Sequence, residues 1–305
     1  MRTRLRQISV FVAVLLLVGC GGPGGADGRT RVVTTIFPLY DFARQVAGDD
    51  DGVEITCLAD GAADMHSFSP SSQDIVAIAE CDVFVYVDGE SDEWVAEVLD
   101  QHPNENRVVI CCFDVLGGRL LAEDGAEGEF DEHVWLSLRN AAALTEAIAD
   151  ALEQAVPERA EAYAENAAAY VAQLDALDAR YAQALAGGGT LLVADRFPFA
   201  YLANDYGLEC LAAFSGCSAE SEVSFGVVAQ LADVLNQRGL THIFVIDNGD
   251  AAVAEAVVAQ AGADGVQVLS LCSMQAVSRA DMEAGTTYLA LMEENLEVLK
   301  EGLSR

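Results

Sequence analysis

"PERAEAYAENAAAYVAQLDALDARYAQALA", residues 157–186, is the stretch on which the fold turns. Within it Tyr163, Ala167, Tyr170, Leu174, Leu177 and Tyr181 follow one another at steps of four, three, four, three and four. That spacing puts all six on one face of an α-helix. Pro157 suits the first turn, where its missing N–H would have had no partner inside the helix. Gly187-Gly188-Gly189 closes the pattern. At 1.5 Å per residue the helix would run about 45 Å. Such a face either pairs with a second copy as a coiled coil or packs inside its own chain. A repeat of only about three heptads between two globular halves favours an internal spine.

The flanking halves read alike. "RVVTTI", "VEITCLA", "CDVFVYVDG" and "RVVICCFDV" precede the spine, and "TLLVADR", "LECLAAF", "THIFVIDN" and "GVQVLSLC" follow it. Runs rich in Val and Ile without polar alternation suit strands covered on both faces. Helical patterns such as "SQDIVAIAEC" and "FGVVAQLADVLNQRG" lie between them. Alternation of this kind predicts an α/β protein with two parallel-sheet lobes, a long spine helix joining them and a ligand cleft between. The expected divisions are a signal peptide over 1–19, a tether over 20–29, a first lobe over 30–139, linking helices over 140–188 and a second lobe over 189–305.

The signal peptide rests on three features. Arg2, Arg4 and Arg6 make a basic start, and Ile8 to Val18 is an apolar run too short for a comfortable membrane span. Leu17-Val18-Gly19-Cys20 then resembles a bacterial lipobox, with Cys20 as the lipidated first residue. Several acyl chains on one Cys anchor a protein stably where one would not. The Gly-rich stretch 21–28 reads as a flexible tether. The expectation is an extracytoplasmic, lipid-anchored protein, monomeric once freed of its leader.

The net charge is −33, from 16 basic and 49 acidic residues. A nucleic-acid binder needs the opposite sign. Seven cysteines follow Cys20, with no CxxC pair. A structural zinc cluster is therefore not expected, and the thiols read mainly as buried small hydrophobes, with one or two bridges left open.

Ligands of open α/β sheets bind beyond the carboxyl ends of the strands. His66 follows the second predicted strand and His133 the fourth. Asp195 and Arg196 end the fifth, Glu220 and Glu222 follow the sixth, and Asp247 ends the seventh. By itself a His in a Ser-rich turn is commonly a surface residue. Facing lobes would nonetheless gather two imidazoles and one or two carboxylates, a donor set suited to a divalent cation. His102, in a turn, reads as a surface residue, and His242, opening a strand, as structural.

Five segments, in order, resemble the metal-binding substrate-binding lipoproteins of ABC transporters, a cluster with zinc- and manganese-binding members and proteins described as adhesins. They are "VVTTIFPLYDFARQVAGD", "DMHSFSPSSQDI", "DEHVWLSLRNA", "YLANDYGLE" and "GTTYLALMEENLEVLKEGL", spread from Arg31 to the C-terminus. The resemblance implies two α/β lobes on one long helix, with the metal between them and His66 and His133 as ligands. Asp247 falls at, or within one residue of, the family's carboxylate ligand. Where the family places a third ligand, five residues before Tyr201, this chain has Arg196. A guanidinium has no lone pair to offer and repels a cation. Glu222, or a water, is the expected replacement. The loop before His133, "AEDGAEGEFDE", lacks the His-rich run of some zinc members.

The resemblance implies capture of zinc or manganese as a transported ligand and delivery to an ABC permease, without catalysis. A surface adhesin is the alternative. A metallohydrolase on the same residues has no HExxH or paired-metal motif behind it.

Overall fold

A computed structural model describes residues 28–61, 65–123, 128–214, 223–247 and 250–303. The leader, Cys20, the tether up to residue 27, Cys217, Glu220 and Glu222 lie outside these residues. Among the described residues no helix is long and apolar enough to cross a membrane.

The first lobe comprises β1 (Thr30–Thr34), α1 (Phe37–Ala47), β2 (Val53–Cys57), α2 (Ser72–Glu80), β3 (Val83–Tyr86), α3 (Trp94–Gln101), β4 (Val108–Cys111) and α4 (Cys112–Leu116). Two helices follow, α5 (Leu138–Ala155) and α6 (Ala160–Ala184). The second lobe contains β5 (Thr190–Val193), α7 (Ala200–Tyr206), β6 (Glu209–Ala212), α8 (Phe225–Arg238), β7 (His242–Ile246), α9 (Ala252–Ala261), β8 (Gln267–Leu271), α10 (Arg279–Glu283) and α11 (Tyr288–Leu303).

Each lobe holds a four-stranded sheet, ordered β2-β1-β3-β4 in the first and β6-β5-β7-β8 in the second. All pairings are parallel, with Val32 beside Ile55 and Val83 in one sheet, and Phe244 beside Val193 and Leu269 in the other. The same order in both lobes puts the reversal of strand order between β1 and β3 and between β5 and β7. The central strands are the buried ones: Val83, Phe84 and Val85 are wholly inaccessible, as are Leu191, Leu192 and Val193. These continuous apolar runs are what two-sided covering requires.

The covering is uneven in an informative way. The outer face of the first sheet packs Val33 and Phe84 against Ile78, Val95 and Val98 of α2 and α3. The outer face of the second packs Leu192, Ile243 and Val245 against α8 and α9. The inner faces of both sheets belong to one continuous core, reaching from Val32 and Val85 through Leu144, Leu174 and Leu177 to Phe244, Leu271 and Leu296. The two lobes thus share a middle layer made of α1, α5, α6 and α11.

The spine carries the expected face. Tyr163, Ala167, Tyr170, Leu174, Leu177 and Tyr181 are the buried residues of α6. The Tyr163 hydroxyl donates to Asp50 Oδ2 at 2.7 Å, and the Tyr181 hydroxyl to the Met292 carbonyl at 2.6 Å. The face is spent inside the chain, which removes the coiled-coil reading. A single 3₁₀ turn, Pro157–Arg159, precedes the α-helix proper.

"RVVICCFDV" reads as one strand but splits. β4 ends at Cys111, and Cys112–Leu116 turns into α4, with Cys112 and Leu116, four residues apart, buried on one side. The six cysteines among the described residues, Cys57, Cys81, Cys111, Cys112, Cys210 and Cys272, are free thiols. No bridge joins any of them, in keeping with thiols that serve as small apolar side chains.

Candidate metal site

Loops that follow strands in one lobe meet loops that follow strands in the other. Tyr201, in α7 after β5, donates its hydroxyl to the Asp131 carbonyl at 2.8 Å. The Trp135 indole N–H donates to the Ser273 carbonyl, beyond β8, at 2.9 Å. Arg279 gives its backbone N–H to the Asp60 carbonyl and its Nε to Asp60 Oδ2, both at 2.7 Å. The carboxyl ends of the two sheets therefore face each other, the place where open α/β sheets hold ligands.

His66 sits in a single 3₁₀ turn, Met65–Ser67, after β2, with Met65 buried beneath it. His133 immediately precedes the turn Val134–Leu136, whose three apolar side chains are buried. Those anchors carry the two rings to within 5.4 Å of each other, centroid to centroid, at 54°. Two histidines 67 positions apart in the chain thereby become neighbours.

Each ring is held through Nδ1. His133 Nδ1 lies 3.0 Å from Asp131 Oδ1, which also accepts the His133 backbone N–H at 2.8 Å. His66 Nδ1 lies 2.9 Å from Ser91 Oγ and 3.7 Å from Glu132 Oε2. Nε2 of both rings is buried. A neutral imidazole that keeps its proton on Nδ1 presents a lone pair on Nε2, and carboxylates behind a ring favour that tautomer.

The loop after β3 supports His66. Asp92, itself buried, accepts the Val87 N–H at 2.8 Å and the Asp88 N–H at 3.3 Å. Burial, with the neighbouring Glu132 charge adding to it, pushes the Asp92 carboxyl up to about 6 in spite of those two amides. Burial likewise raises Glu132, against donors from Ser91.

Asp247 is the first residue beyond β7, in left-handed backbone at φ 49°. Its Oδ1 accepts the Ser273 N–H at 2.7 Å, and its Oδ2 accepts the Ser273 hydroxyl. Ser273 is the residue whose carbonyl receives Trp135, so two hydrogen bonds through Ser273 link Asp247 to the His133 loop. Among the described residues, however, no three His, Cys, Asp or Glu side chains gather closely enough to hold an ion. Of the expected ligands, His66 and His133 are brought together. Asp247 lies in the other lobe, at the end of β7, and Glu222 is outside the described residues. Arg196 is partly buried after β5, its backbone N–H on Asp195 Oδ1 at 2.8 Å. His102 ends α3 and His242 opens β7, both away from the cleft loops.

Ser91, Glu132, Trp135 and Ser273 were not legible as site residues. Asp131 had a signal, a carboxylate two positions before a ligand candidate. Ser91 and Ser273 had none, because their partners lie 25 and 26 positions away.

Two parallel-sheet lobes on a shared helical layer, with paired imidazoles at facing strand ends, define a two-lobe binding protein for a small ligand. The chain belongs to the family described as zinc-uptake complex component A, periplasmic, whose profile matches residues 32–302. It is 33% identical over 311 residues to the zinc-binding lipoprotein AdcA of Streptococcus pneumoniae, covering 97% of this chain and 61% of that protein. The chain thus spans about three fifths of that relative. It is 27% identical over 315 residues to the high-affinity zinc uptake system protein ZnuA of Bacillus subtilis, 96% of each. Among solved structures it resembles the Zn(II)-bound ZnuA-like domain of S. pneumoniae AdcA, with 32% identity, a TM-score of 0.75 and coverage of 91% and 100%. It also resembles the laminin-binding protein Lmb of Streptococcus agalactiae, described as bifunctional in adhesion and metal transport, with 28% identity, a TM-score of 0.75 and coverage of 90% and 100%.

Proposed function

We propose that this protein captures zinc outside the cytoplasm and passes it to an ABC transporter permease. The pairing of His66 with His133, each ring held through Nδ1, carries the reading. Nε2 of each would bind the ion, Asp247 would add a carboxylate from the second lobe, and Glu222 would complete the shell in place of the ligand lost to Arg196. Two imidazoles and one carboxylate are already the three protein ligands common in open zinc sites. Imidazole favours zinc over the harder manganese ion. Cys20 would anchor the chain to the membrane, and Cys20→Ala should then yield protein that is released or unprocessed. A lipid-labelled, membrane-bound Cys20→Ala product would rule that anchor out.

The deciding experiment exposes the protein to equimolar zinc and manganese, desalts it and measures both metals. About one zinc per chain, lost in His66→Ala and His133→Ala, is expected. Manganese retained in preference to zinc would overturn the choice of ion, and neither metal retained would overturn the function. The likeness to Lmb supports a second role at the cell surface. Laminin binding undiminished in the double histidine variant would separate that role from metal capture.

A further inference from the structure

We infer that Glu132 is a positioning residue for the metal site, its buried carboxylate holding His66 in the tautomer that keeps its proton on Nδ1 and turns the Nε2 lone pair to the ion. The inference rests on the reading of His66 as a ligand.

The Glu132 side chain is only 8% exposed. Its Oε1 accepts the Ser91 N–H at 2.8 Å, while Oε2 is buried and receives no hydrogen bond. A buried carboxylate oxygen in that condition is costly unless something nearby uses its charge. The nearest basic group is His66 Nδ1, at 3.7 Å, with Ser91 Oγ beside it at 2.9 Å. Were the proton on Nε2, the Nδ1 lone pair would face a carboxylate oxygen at 3.7 Å, which is repulsive. With the proton on Nδ1, the ring's positive edge faces the carboxylate and the Ser91 oxygen accepts.

The place for this side chain is built. Gly89 has φ 87°, a conformation that side-chain-bearing residues rarely adopt, and a Cβ there would lie 2.5 Å from Glu132 Oε1 and 2.6 Å from Cγ. Glycine at 89 is therefore required twice, once by the turn and once by the carboxylate lodged against it. The arrangement also mirrors the neighbouring ring. Asp131 stands behind Nδ1 of His133, and Glu132, next in the chain, stands behind Nδ1 of His66. Consecutive carboxylates thus serve the two imidazoles, one each. A carboxylate behind each ring is the arrangement that fixes the orientation of a metal-binding imidazole.

The test reads tautomers by two-dimensional ¹H–¹⁵N NMR of the histidine rings in metal-free protein at neutral pH, and zinc affinity by calorimetry. Glu132→Gln should move His66 from Nδ1–H toward Nε2–H, leave His133 unchanged, and weaken zinc binding about tenfold or more. Gly89→Ala displaces the same carboxylate from its other side. It should act in the same direction, and it serves alone if Glu132→Gln does not fold. Folded variants whose His66 keeps its parental tautomer, in a parent that binds zinc, overturn the role of Glu132 alone. A parent that binds no zinc overturns the ligand reading beneath it.

Discussion

Trp135 and Ser273, 138 positions apart, join the two lobes by an indole N–H donated to a buried carbonyl at 2.9 Å. The same two residues frame the candidate site. The Trp135 ring lies 5.2 Å from that of His133, and Ser273 holds Asp247 through its N–H and hydroxyl. Trp135→Phe keeps an aromatic ring and removes the donor, leaving the Ser273 carbonyl dry and unmatched. Such a loss costs about 1–3 kcal/mol. The expected outcome is a lower urea midpoint with an unchanged slope, and a smaller zinc-induced rise in melting temperature. An unchanged midpoint would show that the bond does not couple the lobes.

Metal binding should stabilise the fold in proportion to occupancy. A ligand present at 100 times its dissociation constant adds about 2.7 kcal/mol. The melting temperature should therefore climb with zinc concentration in the parent and stay level in His66→Ala. Identical curves with zinc and with chelator would count against a preformed site between the lobes.

Arg196 offers a gain rather than a loss. If its side chain still faces the ion, Arg196→His exchanges a repelling cation for a neutral donor and should tighten zinc binding about tenfold or more. Should affinity hold steady there while Glu222→Ala weakens it, the carboxylate has taken over the third position. Isothermal titration of the two variants separates these outcomes.

Asp92 predicts a pH dependence of stability. Its folded value of about 6 lies above the ordinary 3.8 because the charged form is buried. A proton on Asp92 thus favours the folded state. That contribution is complete below about pH 4, and it fades as pH rises through 6. Asp92→Asn retains an oxygen for the Val87 and Asp88 amides and removes the charge. It should flatten the decline in melting temperature between about pH 4 and 7, and be more stable than the parent at pH 7. A parental slope persisting in Asp92→Asn would assign the dependence to other carboxylates.

Much of this was legible in the chain. Seven of the eight strands fall inside the apolar runs, and β1 begins one residue early, at Thr30, because parallel strands covered on both faces need unbroken Val, Ile and Leu and few other elements do. The spine face of Tyr163 to Tyr181 was readable because 3.6-residue periodicity is local. The pairing of His66 with His133 came from resemblance and strand order together, since neither residue marks the other. Glu132 was hidden for a physical reason: it reads as one acidic residue among six in "AEDGAEGEFDE", and only the closeness of Gly89 and Ser91 distinguishes it. The split at Cys111–Cys112 was equally silent, as both cysteines suit a strand or a buried helix start.

The tyrosines of α6 bear on what this protein can hold. Tyr163 fastens the early turns to Asp50 of the first lobe, and Tyr181 fastens the late turns to the backbone of α11 on the second. Between those fastenings the helix has neither glycine nor proline, the usual places where a helix bends. A strut pinned at both ends has little compliance, so the gap between the strand ends is a dimension of the molecule more than a variable of it. Jaws of that kind cannot open wide for a sugar or a peptide and then close around it. They suit a guest of roughly atomic size that enters when a side chain or a loop steps aside, and its residence time is then a property of those small movements.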